Sequence, residues 1–206
     1  MTQVLTQHGI NSLSRGGGGG GDGVVIGGKL YSTVTIAGKE WLAENLDLKL
    51  PGQYIQKLSG TTNNFSYNTQ ISNLYYDRMN LLYNWYAVKY INDNRASLCP
   101  GWKVPTRADM IELFTRVSGY TLAGTKTIKS TTGWSTGLEG DNSTGFDLKG
   151  GGLATNSFSN LLSYAYLWVI DEVDVNNAYM ARVDYTCSDP YSALKYYSAS
   201  LRLIKE

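Results

Sequence analysis

Near its C-terminus the chain is rich in side chains that suit the recognition of a ligand. Between residues 164 and 200, tyrosines and one tryptophan are interspersed with serine, asparagine and aspartate. A tyrosine combines a rigid apolar ring with a polar tip, and small polar side chains add adaptable hydrogen bonds. We therefore predict a ligand-binding face in this stretch. Its candidate residues are Tyr164, Tyr166, Trp168, Asn176, Asn177, Tyr179, Tyr185, Tyr191, Tyr196 and Tyr197.

The same residues also fit a purely structural interpretation. The segments "AYMARVDY" and "YYSASLRL" alternate in the manner of core strands, in which the tyrosines would point inward. The sequence does not separate these alternatives. We divide the aromatic residues about evenly between a binding surface and a core.

Side chains for catalysis are scarce. The only histidine, His8, lies in the N-terminal segment. The rest of the chain therefore lacks a Ser-His-Asp or Cys-His arrangement and the commonest metal ligand. Cys99 lies in a block rich in Pro, Gly and Trp, where a buried thiol is favoured over a reactive one. With Cys187 it could form one disulfide, and the sequence leaves that pairing open. We predict that the protein is not an enzyme and uses no cofactor.

Two acidic stretches gather oxygen ligands of the kind that calcium prefers. They are "EGDN" at 139–142 and "VIDEVDVNN" at 169–177. Neither has the ligand spacing of an EF-hand loop, so solvated loops are the favoured interpretation. We therefore predict no metal site.

Six consecutive glycines, at residues 16–21, raise the question of a phosphate-binding loop. Such a loop requires lysine and then Ser or Thr directly after its last glycine, whereas Asp22 follows here. A dinucleotide fingerprint needs a strand before the glycines and a helix after them. Here a polar segment precedes them and a strand-like one follows. Glycine loses much backbone freedom on ordering, and we interpret residues 16–23 as a joint.

The joint divides the chain into two parts with different predicted roles. Residues 1–15 form a short N-terminal arm whose aliphatic side chains would dock onto another protein. Residues 24–206 show no further break in composition, and we predict that they form one domain. The anchoring residues of the arm are Val4, Leu5, Ile10 and Leu13.

Composition disfavours several classes of partner. The formal net charge is +1 and charged residues make up 17% of the chain, without a basic stripe or an acidic tail. Binding to nucleic acid or to an anionic membrane surface is therefore not expected. No apolar run approaches the ~20 residues that span a bilayer. The first fifteen residues lack the basic start and apolar centre of a secretory signal, so export by such a signal is not expected.

Three segments indicate regular structure. The alternating stretch "KLYSTVTIAGKEWLAEN" predicts a β-hairpin with its turn at Ala37 and Gly38. The apolar stretch 80–91 is ambiguous between helix and strand. After Pro105, the residue types predict a helix with Thr106 as its N-cap and Asp109 in its first turn.

That helix would bury one apolar face and end at Gly119. Beyond it, short segments are separated by Gly, Asn, Ser and Thr. The whole pattern predicts an α+β fold with little helix, short strands and long loops. The residues of the apolar helix face are Met110, Leu113, Phe114 and Val117.

Six stretches of the chain, in their sequence and their order, resemble the characteristic blocks of a known family. Across residues 30–206 the chain is similar to the Fibrobacter succinogenes major paralogous domain. The Cys-Pro-Gly-Trp-x-Val-Pro-Thr block is the most specific part of this resemblance. The stretches are "TIAGKEWLAENLDL" (35–48), "LLYNWYAV" (81–88), "CPGWKVPTRADMIEL" (99–113), "GW" (133–134), "STGFDLKGGG" (143–152) and "SLRLIKE" (200–206).

The resemblance implies a C-type lectin-like fold, here preceded by an extended N-terminal arm. Two positions depart from the family pattern: Lys103 stands where histidine is common, and Leu203 where cysteine is common. The usual C-terminal cysteine bridge thus lacks one partner, a place that Cys187 could take. The Glu-Pro-Asn and Trp-Asn-Asp motifs of calcium-dependent lectins are absent, so calcium-dependent sugar binding is not expected.

The resemblance also implies a role at a surface, since it extends to surface proteins of Bacteroidetes and to phages of those bacteria. Together with the arm and the joint, it leads us to expect a non-enzymatic virion protein, either a capsid or tail decoration or a fibre head. Such a protein would be assembled in the host cytoplasm, bind other virion proteins through its arm, and form a homo-oligomer. Its domain would recognise a host-surface glycan or protein. The alternative is a bacterial cell-surface adhesin or scaffold domain of the same family.

Overall fold

A computed structural model of the chain describes residues 21–50, 67–68, 81–155 and 157–206. Residues 21–23 of the predicted joint form the start of the first strand. Among the described residues, no helix combines the length and the apolar character that crossing a bilayer requires. The predicted docking arm and residues 16–20 of the joint lie outside the described residues, and so do the arm's candidates Val4, Leu5, Ile10 and Leu13.

Short strands joined by turns make up most of the regular structure. The strands are β1 (Gly21–Ile26), β2 (Lys29–Ile36), β3 (Lys39–Leu42), β4 (Tyr67–Asn68), β5 (Leu82–Asn84), β6 (Trp102–Lys103), β7 (Leu153–Ala154), β8 (Phe158–Ser159), β9 (Ala165–Glu172), β10 (Asn177–Val183), β11 (Cys187–Leu194), β12 (Ser198–Ala199) and β13 (Ile204–Lys205). The helices are α1 (Trp85–Asp93), α2 (Arg95–Leu98), α3 (Arg107–Arg116) and α4 (Leu122–Ile128).

The strands form three sheets in which neighbouring strands are antiparallel. Their strand orders are β1-β2-β3-β13-β6, β11-β10-β9 and β4-β5-β12-β7-β8. The expected α+β, C-type lectin-like fold class is therefore wrong, because the described residues are mostly β-sheet and their helices are short. Strands of two residues between glycine and serine turns are too short to show a hydrophobic period. They could therefore not be predicted from the sequence.

The predicted hairpin is confirmed. Strands β2 and β3 pair up to the closing residues Ile36 and Lys39. Only Ala37 and Gly38 lie between them, at φ 55° and 78°. Two central residues with positive φ form the tight turn that matches the twist of the strands it connects.

The segment that was ambiguous between helix and strand contains both. Strand β5 ends at Asn84, whose side-chain oxygen accepts a hydrogen bond from the N–H of Ala87 at 2.9 Å. This N-cap starts helix α1 at Trp85. Because residues on both sides of Asn84 are buried, the hydrophobic pattern shows no change of period where the strand becomes a helix.

The predicted helix after Pro105 is confirmed as α3. Thr106 and Asp109 form a capping box at its start. At its end the left-handed residue is Ser118, at φ 53°, rather than Gly119. Gly119 serves a close approach instead, since a Cβ at this position would lie 2.7 Å from the Sγ of Cys187. Of the predicted apolar face, Val117 is only partly buried, and the fully buried members are Met110, Leu113 and Phe114.

Sheet β9–β11 lies between two hydrophobic clusters. One face contributes Trp168 and Met180 to a cluster that includes Trp85 of α1. The opposite face contributes Leu167 and Ala181 to a second cluster, which contains the buried side of α3. Because both faces are packed over most of its length, the sheet holds its partly exposed side chains in fixed positions.

Candidate functional site

The site is built on the central strand of this sheet. On β10, Arg182 lies opposite Tyr166 of β9 and Ser188 of β11. Directly opposed residues of antiparallel strands project from the same face. Arg182 and Tyr166 therefore share the face that also carries Trp168 and Met180.

A β-bulge shapes the same face on β11. Met180 pairs with Tyr191 and Arg182 pairs with Ser188, so the two-residue step on β10 faces a three-residue step on β11. The register shift places Asp189 and Pro190 together opposite one residue of the central strand. Such a bulge increases twist and re-aims side chains, and beside it the side chain of Tyr191 is 40% exposed.

One aromatic pair lies beside the arginine, and a second lies in the turn after β11. The rings of Tyr164 and Tyr166 stack with centroids 6.1 Å apart, and the Cζ of Arg182 lies 5.7 Å from the centre of the Tyr164 ring. The rings of Tyr196 and Tyr197, in the turn after β11, meet edge to face at 5.0 Å. We call the resulting surface the tyrosine–arginine patch; it comprises Tyr164, Tyr166, Arg182, Tyr191, Tyr196 and Tyr197.

Tyr191 lies opposite Met180, on the face that carries Arg182. Burial raises the pKa of Tyr191 to about 12, with smaller electrostatic effects from Tyr166, Arg182 and Tyr197. Its hydroxyl is therefore protonated across the physiological range and can donate a hydrogen bond. Tyr196, a member of the second pair, is 39% exposed. Tyr191 and Tyr196 are therefore the two tyrosines of the patch that a ligand can reach most easily.

The floor of the patch is held by a side-chain hydrogen bond. The Nδ2 of Asn160 donates to the hydroxyl of Tyr166 at 2.9 Å. Tyr166 is almost fully buried, and that burial raises its pKa. Asn160 was not among the sequence candidates, because a lone asparagine in a turn has no pattern that marks it.

Arg182 is the second residue that the sequence analysis missed. Its side chain is 42% exposed, and its ion pair with Asp184, from Nη2 to Oδ2, is 3.6 Å long. Its Nε is buried and has no hydrogen-bond partner among the described residues. The guanidinium therefore retains donors that a ligand could use. Its position between two tyrosines in "AYMARVDY" could have marked it as a candidate binding residue.

Two sequence candidates belong to the interior or to the opposite face. Trp168 is fully buried and donates from Nε1 to the carbonyl of Tyr83 at 2.8 Å, so it is not open to a ligand. Tyr179 packs against the second cluster, with the Cζ of Arg107 4.7 Å from its ring centre. The alternation along β10 separates Tyr179 from Arg182.

Asn176 and Asn177 shape a turn at the far end of the sheet. The carboxylate of Asp174 accepts the backbone N–H groups of both asparagines at 2.8 Å. It also accepts from the Nδ2 of Asn177 at 3.0 Å. These contacts are those of an Asx turn and account for the residue types without a ligand.

Tyr185 lies in the turn between β10 and β11, directly after Asp184. It is 62% exposed and borders a small pocket with Leu122, Lys126 and Leu138. The structure therefore brings five of the ten sequence candidates together in the patch and distributes the rest elsewhere.

The described residues offer little for catalysis. They contain no group of three or more His, Cys, Asp or Glu side chains placed to hold a metal. Both cysteines are free and buried, and burial raises the pKa of Cys99 to about 11 and that of Cys187 to about 12. A thiol in such surroundings is not activated as a nucleophile.

A groove of about 510 Å³ beside β3 and β13 is lined mostly by paired charges. The Nζ of Lys39 lies 2.6 Å from Asp109 and 2.7 Å from Glu112. Lys205 pairs with Glu40 at 2.6 Å. These charged side chains are already paired with one another, so the groove is a weaker candidate for a ligand-binding site than the patch.

Comparison with known families adds a match over most of the chain. A family model, the Fibrobacter succinogenes major domain, matches residues 34–205. The protein belongs to this family. No curated protein and no solved structure matches the chain. In this Fibrobacter succinogenes major domain, the whole tyrosine–arginine patch lies within the matched residues.

Proposed function

We propose that this Fibrobacter succinogenes major domain is a non-enzymatic binding module whose tyrosine–arginine patch contacts a surface glycan. The observation that carries the proposal is that Arg182, Tyr166 and Tyr191 share one face of the sheet, with the Tyr164 ring beside the guanidinium. Tyr196 and Tyr197, in the turn after β11, add a second aromatic pair. Tyrosine rings present flat apolar surfaces to the C–H face of a sugar, while hydroxyls and the guanidinium can hydrogen-bond its hydroxyl groups.

A protein ligand is the alternative, and the binding experiment below distinguishes it from a glycan. A glycan is favoured because flat rings beside hydroxyl and guanidinium donors suit the many hydroxyl groups of a sugar. Protein-binding surfaces usually have an apolar core. Here the centre of the patch is an arginine.

The non-enzymatic part of the proposal rests on the buried, unactivated thiols and on the lack of paired acid–base groups near the patch. Apart from Asp184 and Ser188, the described groups around Arg182 are tyrosines, whose role in a binding site is contact and hydrogen bonding. A catalytic site would require a nucleophile beside a base. We propose no reaction for this surface.

We further propose that the module is displayed on a virion, anchored to other virion proteins through residues 1–15, as a homo-oligomer. The glycine run between that arm and the domain supports this proposal. Mass spectrometry of purified phage particles would test it, with peptides of this chain expected in the particle. Their recovery only in the bacterial envelope fraction would instead support a cell-surface adhesin.

A binding experiment tests the glycan proposal. The chain is applied to host-envelope material before and after periodate oxidation, which destroys sugar diols and leaves protein intact. We expect periodate to abolish binding and Tyr191→Ala to weaken it about tenfold, the effect of losing one aromatic anchor. Tyr185→Ala, an exposed tyrosine outside the patch, is the matched control. Binding that survives periodate would show a protein ligand and contradict the proposal.

A further inference from the structure

We infer that the glycan bound by the patch carries a carboxylate, which Arg182 receives. This inference rests on the proposed glycan-binding function and adds the chemical class of the sugar, an acidic one such as a uronic or sialic acid. It is carried by the position and partners of Arg182.

Arg182 differs from the buried arginine of this chain in how its donors are used. Arg202 directs its Nη groups to the carbonyls of Leu42 and Phe146 and to the side chain of Asn45, at 2.6–2.8 Å. Arg182 has one ion pair, with Asp184, and at 3.6 Å this is longer than a hydrogen bond. A partly exposed guanidinium with unspent donors is suited to a ligand anion.

The surroundings also orient the guanidinium. Its Nε is buried, which leaves the two terminal nitrogens as the donors a ligand can reach. Two parallel N–H groups match the two oxygens of a carboxylate. The Tyr164 ring, 5.7 Å from Cζ, supports the cation.

The aromatic neighbours place a sugar ring beside that carboxylate. Tyr191 and Tyr196 are the most exposed rings of the patch, and Tyr191 pairs with Met180, two residues from Arg182 on the same face of β10. In uronic and sialic acids the carboxylate is attached directly to the sugar ring. One residue of such a sugar could therefore reach the guanidinium and a tyrosine face together.

The local charge favours a singly charged group. The groups that face Arg182 are Asp184, Tyr164, Tyr166 and Tyr191, so one cation lies beside one anion. A phosphate dianion would meet the Asp184 carboxylate with more repulsion than a carboxylate would. Asp184 thus contributes to discrimination against doubly charged ligands.

Two probe pairs test the inference: polygalacturonate against its methyl ester, and sialyllactose against its methyl ester. In each pair the carboxylate is the main difference. We expect at least one acidic member to bind about tenfold or more tightly than its neutral partner. Arg182→Gln should remove that preference, and Arg182→Lys should retain only part of it because lysine lacks the planar fork.

Arg116→Gln, at an exposed arginine on helix α3, is the matched control and should leave the preference unchanged. Equal binding of acidic and neutral partners would overturn the carboxylate inference and leave the glycan proposal standing. A preference that persists in Arg182→Gln would also overturn it. Failure of all four probes to bind, together with periodate-resistant binding to envelope material, would overturn both proposals.

Discussion

Arg202 and Asn45 form a buried hydrogen bond that joins the C-terminal segment to the N-terminal hairpin. The Nη2 of Arg202 donates to the Oδ1 of Asn45 at 2.8 Å, and both residues are buried. Burial lowers the pKa of Arg202 to about 9, so the group remains charged at neutral pH. A buried charge is costly unless its donors are satisfied. Neutral oxygens accept from both Nη groups of Arg202, while its Nε has no partner among the described residues.

We predict that Asn45→Ala destabilises the fold by about 2–3 kcal/mol, because it removes an acceptor from a buried charged donor. The free energy of unfolding in urea measures the effect. The control is Asn176→Ala, at an exposed asparagine that forms hydrogen bonds through its backbone N–H and carbonyl. It should cost at most about 0.5 kcal/mol. Equal effects of the two substitutions would contradict this account of Arg202.

A second prediction concerns the buried lysine of the β11–β12 turn. The Nζ of Lys195 lies 2.6 Å from the carboxylate of Glu172 and 2.7 Å from the carbonyl of Asp174, and 4.5 Å from the Trp85 ring centre. Lys195→Met should destabilise by about 2–3 kcal/mol, since it leaves these acceptors without their donor.

The matched control is Lys89→Met, which removes an exposed i,i+4 ion pair with Asp93. Its expected cost is at most about 0.5 kcal/mol. Hydrogen exchange at the 173–176 turn should also accelerate in Lys195→Met and not in the control. Unchanged exchange at that turn would show that Lys195 does not hold it.

The third prediction uses the close approach of Gly119 to Cys187. Gly119→Ala places a methyl carbon 2.7 Å from the Sγ of Cys187, so we expect a loss of about 1–3 kcal/mol from overpacking. In a Cys187→Ala background the same substitution should cost clearly less, because the sulfur is gone. Thermal or urea unfolding of the unmodified protein, the two single variants and the double variant completes this double-mutant cycle. Additive losses of stability would show that the methyl group introduced at Gly119 and the Cys187 sulfur do not clash, which would contradict the prediction.

The fourth prediction concerns acid stability. Burial acts to raise the pKa of Asp109, but hydrogen bonds from Lys39 and Thr106 outweigh it and hold the pKa below its usual value. The carboxylate therefore contributes stability that is present above about pH 4 and is lost as the pH falls through the folded-state pKa. Asp109→Asn should lower stability at pH 7 and flatten the acid limb of its pH profile.

Urea unfolding from about pH 3 to pH 7 measures this profile. Asp93→Asn, at an exposed helix pair, is the control and should leave the acid limb nearly unchanged. An Asp109→Asn profile parallel to that of the unmodified protein would contradict the assignment of the shift to Asp109.

Local signals in the sequence were enough for the local structure. The turn at Ala37 and Gly38 and the capping box of Thr106 and Asp109 each depend on residues within four positions of one another. The pairing of β13 with β3 and β6 joins segments more than a hundred residues apart. No local propensity reports such pairing, which is why the fold class was not recovered.

The site was predicted in part for a related reason. Alternation assigns Tyr166, Trp168 and Arg182 to one face once the register is known, but it does not say which part of that face another element covers. The Trp85 cluster covers Trp168. Arg182, at the end of the sheet, is partly open, and this difference depends on tertiary packing alone.

The most direct test of the central claim is a titration followed by NMR of ring-labelled tyrosines. The chain is titrated with the acidic sugar that binds best, and each tyrosine signal is assigned by substitution. We expect chemical-shift changes at Tyr164, Tyr166, Tyr191, Tyr196 and Tyr197, and none at Tyr185 or Tyr120. Saturable changes at Tyr185 or Tyr120 with none in the patch would contradict the account.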